Sequence, residues 1–379
     1  MNIPGIVYHP RAVHVRIASN CNLACNFCER ELLGAGKPKK GGVIFYADGR
    51  PPIDLSKDMD LAAWEAVKKH LMPFTDNMEL GGLGEPTMSK IFVQAARDII
   101  NAGKHLFFFT NGHTLGSDKV INALRGGKLR ISISLDAGTV EGYKRIRGGD
   151  LDNVVANVKR FKEAIPEAVL CSQFTATADN IDELPAFVRL CAELGIGQFA
   201  DGGEIVVAGA HHHVTDRAEK SVRFVARRAM KALDEAITIA QQNRLWLMSV
   251  LPPMSEANAN AIDDGSDPTK IRRYGDRLLG DLVCSVGASS IVPSGSGGGA
   301  LAAPRSPEGK IIMLAPQQMY VDLTGDVWTC LARHKIGVIE DGWDKLVTSN
   351  DWYQNHLAYF AGAVDAPVPE VCQKCPNLA

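Results

Sequence analysis

Between about residues 13 and 250, short runs rich in β-branched and aromatic residues alternate with longer segments whose apolar positions recur at helical spacing. The runs at 14–18, 78–81, 105–110, 129–135, 169–175, 198–207 and 245–250 predict strands. Between them, Leu61, Trp64, Val67 and Leu71 mark one helical face, and Val154, Val158, Phe161 and Ile165 mark another. Residues 180–195 predict a further helix, with Asp182 as its N-cap, Pro185 in its first turn and Gly195 just past its end. Asp216 and Glu219 form a D-x-x-E start for a long helix reaching about Gln242. Repeated strand and helix units of this kind predict an α/β fold with helices packed on a parallel sheet.

After Pro252 the pattern breaks. Composition shifts to Pro, Asn, Asp and Ser, and 287–309 is a Gly/Ser/Ala/Pro-rich stretch without apolar period. It predicts a flexible loop, and a substrate-covering lid is the functional alternative. Order resumes at Gln318 with the hairpin-like MYVDLTGDVWTC, in which 323–326 supplies the turn. The division predicted is a core over 1–252 and a smaller domain over 253–379.

Composition narrows the function. A formal net charge of -2 gives no basic field for recruiting phosphates, so a nucleic-acid partner is not expected. The N-terminal residues form no signal peptide and no apolar run reaches membrane-spanning length, which predicts a cytoplasmic protein without a membrane partner. Nine cysteines are too few for a disulfide scaffold of this length, and their grouping points to metal ligation.

The sequence C-N-L-A-C-N-F-C places Cys21, Cys25 and Cys28 in one loop immediately after the first predicted strand. Three thiolates leave a cubane iron–sulfur cluster with one open iron, whereas structural zinc normally closes with four protein ligands. Spacing alone leaves zinc open, and with it a non-enzymatic, zinc-stabilised binding protein.

This C-x3-C-x2-C pattern, with an aromatic before the third cysteine, resembles the signature of the radical S-adenosylmethionine (radical SAM) superfamily. The resemblance implies a partial (β/α)6 TIM-like barrel, a [4Fe-4S] cluster whose open iron chelates S-adenosylmethionine, and hydrogen abstraction by a 5'-deoxyadenosyl radical. It also implies an electron donor such as flavodoxin or ferredoxin. Phe27 resembles the position that contacts the adenine. Gly81 to Pro86 resembles the glycine-rich motif that binds the methionine amino group, with Gly82 and Gly84 allowing close approach and Glu85 offering an acceptor. Asn111, Ser134, Asp136 and Arg147 resemble polar contacts at later strand ends, and Asn180 resembles an asparagine near the cofactor, with a helix cap as its structural alternative.

The tail carries Cys284, Cys330, Cys372 and Cys375. Its G-x4-C and terminal C-x2-C resemble the SPASM/twitch extension, and four cysteines imply one saturated auxiliary [4Fe-4S] cluster. Zinc again fits the same four thiolates. Cys171 shares a strand face with Gln173 and Thr175, which makes it a candidate hydrogen donor beside its plainer role as a packing residue. Cys191 falls on a helix and reads as structural. His211 to His213 could contact metal or substrate, or line a solvated loop, and Phe107 to Phe109 read as packing.

A triplet beginning at Cys21 leaves no room before it for a leader-recognition domain, which favours a carbohydrate or other hydroxylated small metabolite as substrate. The expected outcome is oxidation or epimerisation. A peptide maturase, with the leader presented by a separate partner, is the alternative.

Overall fold

The computed structural model describes residues 6–10, 12–28, 30, 43–44, 53–55, 57–209, 220, 222–249, 251, 311–315, 319–329 and 334–348. They divide into two compact units, one drawn from 17–58 and 80–270, the other from 1–16, 59–79 and 271–379. Along the chain come β1 (Ile6–Pro10), β2 (Val13–Ala18), β3 (Val43–Ile44), β4 (Ile53–Asp54), α1 (Leu61–His70), β5 (Asn77–Gly82), α2 (Phe92–Asn101), β6 (His105–Thr110), α3 (Asp118–Leu124) and β7 (Lys128–Ser134). Then follow α4 (Val140–Arg147), α5 (Leu151–Ala164), β8 (Val169–Ala176), α6 (Leu184–Leu194), β9 (Ile205–Gly209), α7 (Ala226–Gln242) and β10 (Leu247–Ser249). The tail adds β11 (Ile311–Ala315), β12 (Met319–Val321), β13 (Asp326–Thr329), β14 (His334–Val338) and α8 (Gly342–Thr348).

In the first unit the strands stand in the order β10-β9-β8-β7-β6-β5-β2, with β2 and β5 contributing their carboxyl-terminal residues. The pairs from β6 to β10 are parallel. Consecutive strands lie side by side because each is returned by a helix, the βα arrangement expected of this pattern. One face is sealed by the helices: Phe108 packs edge-on against Phe92 of α2 at 5.5 Å, and Phe174 meets Phe187 of α6 at 5.0 Å. The opposite, inner face alternates with it and carries Phe107, Phe109, Arg130, Ser132, Ser134, Cys171, Gln173 and Thr175.

Capping explains the helix limits. Thr139 caps α4 through Gly142 N and Asp150 caps α5 through Asn153 N, while Gly148 and Gly195 end α4 and α6 in the left-handed region. Two expectations change. Asp182 does not cap α6: it lies inside a 3-10 turn, Ile181–Glu183, that runs straight into the helix, and its carboxylate is drawn outward to Arg228. The strand expected over 198–207 starts only at Ile205, because a 3-10 turn at Phe199–Asp201 and the left-handed Gly202 (φ 73°) interrupt it. The long helix ends at Gln242 as expected and begins at Ala226; Asp216 and Glu219 lie outside the described residues.

The second unit contains an antiparallel ladder of β12, β13 and β14, with β12 also parallel to the start of β2. Asp322 builds the expected hairpin turn by accepting from Thr324 N at 2.9 Å and Asp326 N at 3.0 Å, with Gly325 at φ 88°. Cys284, Cys330, Cys372, Cys375, His211 to His213 and 287–309 lie outside the described residues. Among the described residues no helix is long and apolar enough to cross a membrane.

Candidate active site

The loop that leaves β2 is held from several sides. Ser19 donates through its backbone N and its Oγ to Asp58 Oδ1 at 2.8 and 3.0 Å, and Arg30 donates to Ser19 O. Glu85 N donates to Asn20 O at 2.7 Å and Gly84 N to Ala18 O at 3.2 Å. This approach requires glycine: a Cβ on Gly82, at φ 140°, would stand 2.4 Å from Ala18 O, and one on Gly84 would stand 2.5 Å from Asn20 O. Further on, Asn26 N donates to Ile146 O at 2.9 Å, and Lys220 Nζ donates to Asn26 O at 2.8 Å.

Cys21, Cys25 and Cys28 are half-buried on this loop and form no disulfide. Cys28 N closes a turn onto Cys25 O at 3.1 Å, with Phe27 half-buried inside it. Leu23 N and Asn111 Nδ2 reach Cys21 Sγ at 3.5 and 3.7 Å. Burial raises the Cys21 thiol and pushes Cys25 up to about 12, while the nearby Arg147 guanidinium opposes both shifts.

Cys21 and Cys28 lie within electrostatic reach of Cys25. Among the described residues, however, no three His, Cys, Asp or Glu side chains gather as a site for a single metal ion. A cubane takes its thiolates at separate iron corners, so a donor set of three cysteines on one loop, none in a disulfide, fits such a cluster.

Glu85 is 2% exposed and turns inward. Its Oε1 accepts from Thr87 Oγ1 at 2.6 Å and Thr110 Oγ1 at 2.7 Å, and its Oε2 accepts from Asn111 N at 2.7 Å. Burial raises its carboxyl and these donors pull it back. Glu85 thus braces the β5 and β6 loops. Asn111 completes the brace by donating to Asn22 Oδ1 at 2.7 Å.

Asn180 likewise bonds within the protein. Its Nδ2 donates to Asp136 O at 3.1 Å and Thr175 O at 3.0 Å, and its Oδ1 accepts from Thr177 N at 2.8 Å. The side chain therefore ties the ends of β7 and β8 together and makes no helix cap. Asp136, left-handed at φ 55°, accepts from Thr175 N at 2.6 Å and pairs with Arg147.

Ser134 stands half-buried on the inner face, opposite Gln173. One layer below, Phe109, Ser132 and Cys171 are successive register partners. Cys171 is buried, which pushes its thiol up to about 11. Below it Arg130 pairs with Glu204 at 2.8 Å. Cys191 is fully buried on α6, consistent with packing. Phe107 and Phe109 stack edge to face at 4.8 Å on the inner side.

Sequence patterns do not single out Asp58, His113, Tyr143 or Lys220. Asp58 and Lys220 reach the loop only through tertiary contacts. His113 stacks on Tyr143 at 6.1 Å and accepts from Asp150 N at 3.3 Å.

Residues 15–191 match the radical SAM superfamily. The chain is 26% identical over 232 residues to a probable GTP 3',8-cyclase of Methanococcus vannielii, covering 58% of this chain and 70% of that protein. It is 25% identical over 193 residues to a protein of the same description from Methanocaldococcus jannaschii, covering 49% of this chain and 56% of that one. Among solved structures, Streptococcus suis SuiB bound to the precursor peptide SuiA superposes with a TM-score of 0.56 at 15% identity, covering 98% of this chain and 71% of SuiB. That likeness is one of fold.

Proposed function

We propose that this chain, whose residues 15–191 match the radical SAM superfamily, acts through a [4Fe-4S] cluster on Cys21, Cys25 and Cys28 to abstract hydrogen from a hydroxyl-bearing small molecule. When bound, such a cluster supplies the electron that cleaves S-adenosylmethionine to the 5'-deoxyadenosyl radical. Gly82 and Gly84 let the backbone after β5 close on the cysteine loop, and Phe27 and Ser134 remain the candidate contacts to S-adenosylmethionine. Glu85, Asn111, Asp136 and Asn180 position those elements, since their polar atoms already bond within the protein.

The observation that carries the substrate class is the polar part of the inner face, on β7 and β8 beside Phe107 and Phe109 of β6. Ser134 and Gln173 stand opposite one another above Ser132 and Cys171, with the Arg130–Glu204 pair below. Polar groups of this density suit a hydroxylated ligand better than an apolar one. The name carried by the curated relatives, a cyclase of GTP, points to the same broad class.

In this reading the core over 1–252 is followed by a twitch-like domain over 253–379, whose Cys284, Cys330, Cys372 and Cys375 hold an auxiliary cluster. A flavodoxin- or ferredoxin-type donor supplies electrons, and the outcome is oxidation or, with Cys171 returning a hydrogen, epimerisation.

Anaerobic reconstitution with iron, sulfide and dithionite tests the reading. About four irons per chain, or about eight with the auxiliary cluster, together with 5'-deoxyadenosine formation, are expected. A colourless chain that binds zinc and forms no 5'-deoxyadenosine would refute it.

A further inference from the structure

The carboxyl end of α4 lies against the cysteine loop. Besides the bond from Asn26 N to Ile146 O at 2.9 Å, a Cβ on Gly149 would come within 2.9 Å of the Leu23 side chain. No side chain fits between the helix end and the loop there. Arg147 is carried by this last turn and is 8% exposed. It donates to Asp136 and lies within electrostatic reach of Tyr143, Cys21 and Cys25. Its Nε is buried without a hydrogen-bond partner.

Behind it, Asp136 is 1% exposed and fixed by Thr175 N at 2.6 Å and by its own left-handed backbone. A non-glycine residue held in that conformation is one the surrounding structure over-determines. Two opposite charges are therefore fixed next to the loop. Each alone would be a buried uncompensated ion, and the pair offsets that cost.

We propose that Arg147 is a positioning residue whose fixed charge, with Asp136 as counter-charge, sets the reduction potential of the cluster held by Cys21, Cys25 and Cys28. The inference rests on the cluster assignment proposed above. Reduction adds negative charge to the cluster, so a cation within reach favours the reduced form and an anion disfavours it.

The test is a redox titration of the reconstituted full-length chain, followed by electron paramagnetic resonance in the absence of S-adenosylmethionine. Arg147→Met is expected to shift the midpoint of the triplet cluster to more negative potential, Asp136→Asn to shift it to more positive potential, and Arg147→Lys to stay near wild type. Asparagine suits the left-handed position and can keep the Thr175 bond, so Asp136→Asn removes charge with little change of shape. If Arg147→Met cannot be loaded with iron, the sign of the Asp136→Asn shift decides. Unchanged potentials, or shifts of one sign in both variants, would overturn the inference while leaving the cluster assignment standing. A wild-type chain that takes up no cluster would overturn both.

Discussion

At the loops that follow β5, β7 and β8, polar side chains are tied to other parts of the fold, whereas two on the inner face of β7 and β8, Ser134 and Gln173, are not. Glu85 accepts from Thr87, Thr110 and Asn111, and Asn180 joins Asp136, Thr175 and Thr177. Ser134 and Gln173, on the inner face, have no side-chain hydrogen-bond partner among the described residues. Buried polar groups that bond one another fix geometry, while half-buried ones left open can bond a ligand. The rim holds its shape and the inner face remains available.

The largest effect that tests this contrast comes from the rim. Glu85→Ala leaves the Thr110 hydroxyl and the Asn111 N–H without their buried acceptor, and each such group costs about 1 to 3 kcal/mol. Urea denaturation is expected to show a loss of about 3 kcal/mol or more, against less than about 0.5 kcal/mol for Ser134→Ala. Equal losses at the two positions would erase the distinction.

Much of this rim was legible in the sequence because its residues sit at strand ends that apolar periodicity locates. The limits of β6 follow from the aromatic-rich run HLFFFT, and the glycines at 82 and 84 announced a close approach. What each polar residue bonds was not legible. Glu85 looks like an exposed acceptor until the fold brings Thr110 and Asn111 to it. Asn180 resembles a cofactor contact or a cap until β7 and β8 end beside it. Asp182 has the composition of an N-cap, but α6 is entered through a 3-10 turn and the carboxylate goes to Arg228. Local pattern specifies elements, and the partners of polar atoms are set by contacts distant in sequence.

An intermediate effect comes from the inner face. Cys171→Ala removes a small buried thiol, for which a stability loss of about 1 kcal/mol is expected. Its chemical effect should be larger than its structural one. If the thiol returns hydrogen to a substrate radical, the S–H bond breaks as the new C–H bond forms, and wild-type product made in D2O gains one deuterium by mass spectrometry. The variant should still form 5'-deoxyadenosine and lose that deuterated product. Normal deuterium incorporation in Cys171→Ala would remove the cysteine from the mechanism.

The smallest expected effect lies back at the rim, at His113. Its Nε2 accepts from Asp150 N at 3.3 Å, so the neutral ring carries its proton on Nδ1, a buried atom without a hydrogen-bond partner. Burial lowers the His113 pKa, and the Arg147 charge lowers it further. A histidine whose folded pKa lies below its unfolded value of about 6.5 binds its proton first in the unfolded chain. As pH falls through about 6.5 the unfolded state therefore gains, and the protein loses stability until the folded ring also titrates. Above that window the term is constant. The ring is half-buried, so solvent screening keeps the effect well under about 1 kcal/mol. His113→Gln, whose side chain does not titrate, should lose this slope, read as the difference in urea midpoint between variant and wild type at pH 7.5 and at pH 5.5. A difference that stays flat, or that favours wild type more strongly at the lower pH, would show that His113 is not held neutral. It would then behave like the open polar groups of the inner face and not like the bonded groups around it.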